Sequence, residues 1–544
     1  MVQEHVPVLI VGGGIVGLST SLFLLHQGVP SLLVERHAST SILPRARGIH
    51  FRTMEFYREI GLDETIRATG AAVIKQGSFG GFLIGETLLC ARRQPIAMAG
   101  GRGRGESLQD LSPEDFCFCP QDELEPVLLA SAHQRGGDLR FNTELISFEQ
   151  DDDGVTATLV EHASGTRSTV RADYMIAADG ARSPMSAALG ITQSGEGTLE
   201  HYLNIYFEAD LSEQVRGKEF SQCLIERPDM YGVLVSINNT DRWVFHLSYD
   251  PAKGETPDDF PPEHCQELIR RAIGLPDLAV EIRSIGPWES AVRIADSFQR
   301  GRIFLVGDAA HLMPPWGGFG ANTGIADAHN LAWKLAAVFN GQATPDLLAT
   351  YEMERRPVAC FSAEQSALRS DIRIRYGLGS AEETKAVQQK LVSMNVVVGG
   401  YQYCSPTIFA EDEGAPTYDR LSFDGRPGTR VPHVWIEYRG QLISTLDLLW
   451  RGFVLLTGPD GRAWYEAANR LASRLDIELE AYRVGPSGDL LDPECYWHEA
   501  AGVAPDGALL MRPDGIVAWR SWKSVPQPER VLEQVMMRVL CRVL

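Results

Sequence analysis

With 544 residues the chain has the length of three to four domain-sized units, and 44% apolar against 22% charged residues excludes a disordered chain. Acidic residues outnumber basic ones 71 to 50, a net charge of −21. Such a surface repels phosphate backbones and anionic headgroups, so neither nucleic acid nor membrane is expected as a partner. Nine cysteines, with a C-x-C at Cys117 and Cys119 and no C-x-x-C, read as dispersed reduced thiols, and no metal is expected.

The first apolar run, residues 6–11, is far shorter than the roughly 20 residues of a membrane span and lacks the basic lead of a secretion signal. A cytoplasmic location is therefore expected. The run reads as a strand covered on both faces and ends at Gly12-Gly13-Gly14-Ile15-Val16-Gly17. Residues 18–27 carry Leu18, Leu22 and Leu25 at helical spacing until Gly28 stops them; Ser31-Leu32-Leu33-Val34 restores a strand that ends at Glu35. Strand, glycine turn, helix, strand and acid in that order form the dinucleotide fingerprint. Gly12 serves the tight turn, Gly14 the approach of a pyrophosphate, and Gly17 the close packing of helix on strand. The helix start offers free N–H groups and partial positive charge to that pyrophosphate, and Glu35 is placed to accept hydrogen bonds from a ribose diol.

Farther along, Gly100-Gly101-Arg102-Gly103-Arg104-Gly105 reads as a solvated loop, with Arg102 and Arg104 as alternative contacts for an NADPH 2′-phosphate. An apolar strand, residues 174–178, runs into Asp179-Gly180. Residues 187–285 alternate as strands at 202–207, 223–226, 231–237 and 243–249, followed by one at 281–288. Alternation puts Tyr202, Asn204 and Tyr206 on one face and His201, Leu203 and Ile205 on the other. Another strand, residues 301–306, ends at Gly307-Asp308, and acids just past strand ends lie on the ligand rim of a parallel sheet. His311 follows and reads as a structural histidine. The glycine-rich stretch Met313-Pro314-Pro315-Trp316-Gly317-Gly318-Phe319-Gly320-Ala321-Asn322 then leads into a helix at 325–335, and a helical stretch spans about 345–395. Strands and helices alternate again near the end, around residues 452–456 and 509–520.

Together, Gly12–Gly17, Asp179-Gly180, Gly307-Asp308 and the loop from Pro315 to Asn322 resemble the class A (single-component) FAD-dependent aromatic hydroxylases, the para-hydroxybenzoate hydroxylase and phenol hydroxylase group. The pattern is nearest the polyketide-tailoring enzymes of the aklavinone hydroxylase type and the rebeccamycin-pathway flavoprotein. Pro44-Arg45-Ala46-Arg47-Gly48, Gln121 before Leu124-Glu125, and Arg355-Arg356-Pro357 agree with it. The resemblance implies an α/β fold, α+β overall. A Rossmann-like FAD-binding domain would take residues 1–186 and 286–400, an antiparallel substrate sheet 187–285, and a thioredoxin-like domain 401–544.

It also implies roles. Asp308 would hold the ribityl chain of FAD, with Asp179, Gly307, Arg36, Gln121 and either Arg45 or Arg47 as further contacts. Backbone N–H groups near Gly320, Ala321 and Asn322 would stabilise the reduced flavin, with Pro315, Gly318 and Phe319 along its face. Ser186 stands where the family's Asp-Gly motif ordinarily ends in arginine, and Arg182 is the nearest substitute. Tyr202, Asn204 and Tyr206, or Phe245 with His246, would line the substrate pocket together with Trp316. The implied reaction takes electrons from NADPH or NADH and passes one oxygen atom of O2, through a flavin C4a-hydroperoxide, to a phenolic or polycyclic aromatic. Alternatives are Baeyer–Villiger-type or antibiotic-inactivating oxygenation, and a flavoprotein that binds and protects an unstable aromatic intermediate. A monomer or homodimer is expected.

Overall fold

The computed structural model describes residues 4–73, 80–94, 108–376, 378–411, 418, 421, 423–449 and 451–542. The Gly100–Gly105 segment lies outside them. Four parallel strands form the heart of the first sheet in the order Ile303–Leu305, Arg167–Ala177, Glu4–Val11 and Ser31–Val34. Their register aligns Leu305 with Ala177, Ala177 with Val11, and Val11 with Val34. The carboxyl ends therefore finish on one line, and the residues that follow them (Gly12, Glu35, Asp179 and Asp308) gather along a single rim. That shared rim is where an open α/β sheet binds its ligand. The strands are apolar and covered on both faces, Val8, Leu9, Ile10, Leu32 and Leu33 being wholly buried.

Helix Ile15–His26 packs on helix Phe319–Phe339, which packs in turn on helix Asp346–Ala367. The helical stretch expected to about residue 395 is divided into Asp346–Ala367, Ile372–Arg375, Ala381–Gln388 and Met394–Gly399.

A second sheet of eight strands forms a roof. Its central strands run Glu281–Ala295, Gln193–Glu208, Arg242–Ser248, Met230–Ser236 and Phe220–Arg227. It also recruits Gly81–Gly85, paired parallel to Phe220–Arg227, across about 130 residues of sequence that local periodicity cannot bridge. Leu203, Ile205, Phe207, Phe245 and Leu247 pack on helix Pro262–Ile273. The opposite face carries Val233, Val235 and Val244 against Trp316.

In the C-terminal unit, strands Phe453–Thr457 and Leu479–Gly485 run parallel through helix Arg462–Leu475. The antiparallel hairpin Ala508–Met511 and Val517–Ser521 follows, then helix Pro528–Val539, a thioredoxin-like order. Buried charges weld this unit to the rest. Glu354 accepts from Arg512 at 2.6 and 2.8 Å and from Lys334 at 2.8 Å, and all three side chains are without exposure. Arg430 pairs with Glu55, which also accepts from Arg52 at 2.7 Å. Among the described residues no helix is long and apolar enough to cross a membrane.

Candidate active site

The first strand-to-helix corner is shaped by glycines for reasons visible in the backbone. Gly12 has φ +112°, and a Cβ there would lie 2.2 Å from the Ala178 carbonyl oxygen. A Cβ on Gly17 would lie 1.9 Å from the Gly12 oxygen, so these two glycines let helix, turn and neighbouring strand close together. Gly14 is different: its backbone is ordinary, φ −78°, and the nearest obstacle to a Cβ is Glu125 Oε1 at 3.6 Å. Nothing in the protein demands glycine at 14. The Glu35 carboxylate closes the corner by accepting from the Gly13 N–H at 2.6 Å and the His37 N–H at 2.9 Å.

Along the rim, Asp308 is exposed to a cavity. Desolvation by the protein around that cavity pushes its carboxyl above the usual range, while His311 and Arg45 partly offset the rise. Asp179 is also raised by burial; its Oδ2 accepts from the Met185 N–H at 3.2 Å, and among the described residues its Oδ1 is buried without a partner. The two candidate arginines separate. Arg45 is exposed beside Asp308, whereas half-buried Arg47 donates to the Ser236 carbonyl of the roof at 2.5 Å. Desolvation lowers the Arg47 pKa to about 10. Gln121 lines the cavity and donates to Glu125 at 2.6 Å. Arg36 and Arg182 are exposed at its edge. Ser186 is buried, its N–H capped by the Ser183 hydroxyl at 2.9 Å.

The loop after Asp308 is pinned from several sides. Ser366 donates to the Pro314 and Trp316 carbonyls at 2.5 and 2.9 Å, and the His50 ring meets the Gly317 carbonyl at 2.8 Å. Gly317 and Gly318 have φ +95° and +68°, so their backbone requires glycine; Gly320 has no such constraint. Helix Phe319–Phe339 starts here, aiming its free N–H groups toward the cavity lined by Pro315, Gly318, Gly320 and Ala321. The Asn322 side chain faces away from the cavity: it accepts from the His50 N–H and donates to the Gly48 and Gly318 carbonyls, tying the loop to the strand before His50. Phe319 does not reach the cavity either. As the first helical residue it turns inward, fully buried and stacked on His50 at 5.9 Å. Gly17 and Gly307 sit behind the cavity wall; Gly307 has φ +59° and donates its N–H to Asp327 at 3.1 Å. His311 is structural, held by the same Asp327 carboxylate at 2.6 Å, with Arg355 on its other oxygen at 2.7 Å.

On the roof, the face carrying Tyr202, Asn204 and Tyr206 is the one turned to the cavity, but only Asn204 lines it. Tyr202 is buried farther along, stacked on Trp288 and donating to Glu200 at 2.6 Å; the Tyr206 hydroxyl accepts from Arg242 at 3.1 Å. Phe245 points into the opposite core, and its neighbour His246 lines the cavity instead. Sequence reasoning had no signal for His50 or for the Asn322 side-chain bonds, because both depend on contacts across some 270 residues.

The resulting cavity measures about 2510 Å³ and runs without interruption from Gly12 to His246. A single drug-sized ligand occupies roughly 300–1,000 Å³, so there is room for a dinucleotide and a second molecule. Residues 5–366 match a family described as FAD binding domain, and residues 424–542 match one described as aromatic-ring hydroxylase, C-terminal. The chain belongs to the FAD-dependent aromatic-ring hydroxylases.

Across 99% of its own length and 97% of the relative's, the hydroxylase is 45% identical to a putative polyketide hydroxylase of Streptomyces halstedii. It is 40% identical to tetracenomycin A2 monooxygenase-dioxygenase of Streptomyces glaucescens, over 100% and 98% of the two chains. Its fold matches a ternary complex of aklavinone-11 hydroxylase with FAD and aklavinone at a TM-score of 0.88 and 38% identity, covering both chains fully. The rim fits FAD on its own terms: Gly14 is open where the protein alone would admit a Cβ, and Asp179 Oδ1 is buried without a partner among the described residues. Arg45→Ala in this hydroxylase is expected to weaken FAD binding about tenfold while Arg47→Ala chiefly lowers the melting temperature, as flavin titration and thermal unfolding would show.

Proposed function

We propose that the protein is a monooxygenase that hydroxylates a polycyclic, polyketide-type aromatic, using FAD, NADPH or NADH, and O2. The observation that carries this reading is the single cavity joining the dinucleotide corner to the roof, with the glycine loop between them. Bound FAD would supply the redox chemistry, taking electrons from the nicotinamide and activating oxygen. The residues supply placement. The first turn of helix Ile15–His26 would hold the pyrophosphate beside Gly14, with Glu35 toward the adenosine ribose. Asp308 and Arg45 would hold the ribityl chain, and the N–H groups at Gly320 and Ala321 would face the pyrimidine oxygens, where preorganised donors stabilise negative charge. Pro315, Trp316 and the roof would close the reacting edge against water.

The sequence relatives named as polyketide hydroxylases support the substrate class, while the tetracenomycin relative's name includes a dioxygenase activity and makes oxygen counting the informative test. The FAD-loaded enzyme, given a polyketide-type phenol, NADPH or NADH, and ¹⁸O₂, is expected to yield product carrying one labelled oxygen. Two labelled oxygens would replace the single-atom reading, and nicotinamide oxidation ending only in H2O2 across a phenol-to-tetracycline panel would remove the hydroxylase reading.

A further inference from the structure

Among the described residues, six arginine and lysine side chains belong to residues no more than 4% exposed: Arg52, Lys334, Arg355, Arg369, Arg430 and Arg512. Five of them hold a carboxylate. Glu55 takes Arg52 and Arg430, Asp327 takes Arg355, and Glu354 takes Lys334 and Arg512. Arg369 alone forms no such pair among the described residues. Its guanidinium donates to the Gln365 carbonyl at 2.7 Å, the Gln365 side-chain oxygen at 3.1 Å and the Val392 carbonyl at 2.6 Å, all of them neutral. Desolvation pulls its pKa to about 10, which leaves the group charged at neutral pH. A buried charge is costly unless it is paired, and at the other five positions this fold supplies the counter-charge.

The exception sits behind the glycine loop. Arg369 follows helix Asp346–Ala367 by two residues and lines the cavity. Ser366, one turn earlier, holds the Pro314 and Trp316 carbonyls of the loop. The guanidinium carbon lies over the Phe319 ring, 5.4 Å from its centroid, and the same ring packs on Gly317, where a Cβ would come within 2.5 Å of it. The charge is thus one aromatic ring away from the loop. Phe319 also begins the helix whose free N–H groups face the cavity, so the helix dipole and the guanidinium put positive charge at the same place.

Two electrons and one proton, taken up together, leave the flavin head of FAD with one more negative charge, and a fixed cation nearby favours that reduced form. We infer that Arg369 tunes the cofactor: its guanidinium, held behind the glycine loop without a counter-charge, makes bound FAD easier to reduce. It acts at a distance through its field and is not a catalytic residue. A unit charge roughly 10 Å away, at an effective dielectric of about 20, moves such an equilibrium by about tenfold. The inference rests on the FAD-binding part of the hydroxylase reading and adds a residue that sets how readily the cofactor accepts electrons.

The test is the midpoint potential of FAD bound to the substrate-free enzyme, from anaerobic dithionite titration against a reference dye. Arg369→Gln, which removes the charge and keeps a donor, should make reduction about tenfold less favourable, a potential lower by about 30 mV for two electrons. Arg369→Met, neutral and without donors, should match it and serves where the glutamine variant does not fold. Arg369→Lys, which keeps the charge and loses the planar fork, should stay within about threefold of the wild type. A wild-type potential in either neutral variant would overturn the inference. So would a lysine variant that falls as far as the neutral ones, because the loss would then follow the hydrogen bonds and not the charge. The measurement needs no turnover. Potentials that follow the charge in an enzyme that transfers no oxygen keep the tuning role and remove the hydroxylase reading, whereas hydroxylation by variants with unaltered potentials does the reverse.

Discussion

Glu354→Ala is expected to destabilise the protein by roughly 3–5 kcal/mol, the cost of stripping one partner from a buried ion cluster. Besides the Arg512 and Lys334 bonds, Glu354 accepts from Asn330 at 2.9 Å and from Ser405 at 2.7 Å. Among the described residues its removal leaves Arg512 with Asp514 as its one carboxylate beside the Thr407 hydroxyl, and Lys334 with no paired carboxylate. Burial already lowers the Lys334 pKa to about 8, with Glu354 opposing the fall. Without Glu354 the amine should become neutral near pH 7, whereas the guanidinium cannot. A melting temperature lower by about 4 °C, by intrinsic fluorescence, is the expected reading. Adding Lys334→Met, Arg512→Met and Asp514→Leu, which removes the remaining charges together, should recover much of the loss, since apolar residues of similar volume often replace a buried ion cluster at little cost. A single variant as stable as the wild type would show that the two halves are not joined through this cluster.

The same carboxylate gives a pH signature. Burial works to raise its pKa, but Arg512 and Lys334 outweigh it and hold the group well below the ordinary carboxylate range. A depressed folded-state pKa means that the stabilisation is complete above the unfolded value, roughly 4.3, and is lost as pH falls toward the folded value. Asp327 is depressed in the same direction by His311 and Arg355, and Asp514 and Glu55 by their arginine partners. Melting temperature should therefore fall steeply below about pH 4.3, and the gap between wild type and Glu354→Ala should narrow over the same interval.

None of that cluster could be read from sequence. Arg512 and Glu354 are 158 residues apart, and nothing local marks either as buried. What could be read was whatever a short stretch of chain determines by itself. The strand, glycine turn, helix and acid at residues 4–35 needed only local periodicity and turn chemistry, and Asp179 and Asp308 needed only their places after apolar strands. Alternation correctly put Tyr202, Asn204 and Tyr206 on one face, but depth along a strand is set by the neighbouring strands, so only Asn204 reached the cavity. The choice between Arg45 and Arg47, two residues apart, likewise waited for the roof carbonyl that claims Arg47. Phe319 shows the limit in another way: motif position placed it beside the reacting edge, while helix geometry turned it into the core.

Gly14→Ala is expected to weaken FAD binding by about a hundredfold, near 2.7 kcal/mol, without unfolding the apoprotein. The glycines of the corner serve different ends. At Gly12 and Gly17 a methyl group meets backbone within 2.2 Å, so substitution there opens the turn itself, and lost flavin could not be told from lost structure. At Gly14 the backbone is in a region open to any residue and the nearest protein atom is 3.6 Å away. Alanine there is tolerated by the chain and excluded only by a ligand that approaches the helix start closely, as a pyrophosphate does. Paired measurements decide it. The apoprotein of Gly14→Ala should melt within about 1 °C of the wild-type apoprotein, whereas that of Gly17→Ala should melt several degrees lower. Titration of Gly14→Ala with FAD should show the affinity loss and a preparation that is colourless when purified. Wild-type flavin affinity in Gly14→Ala would mean that the pyrophosphate does not lie against this corner, and the assignment of the rim from Glu35 to Asp308 would have to be redrawn.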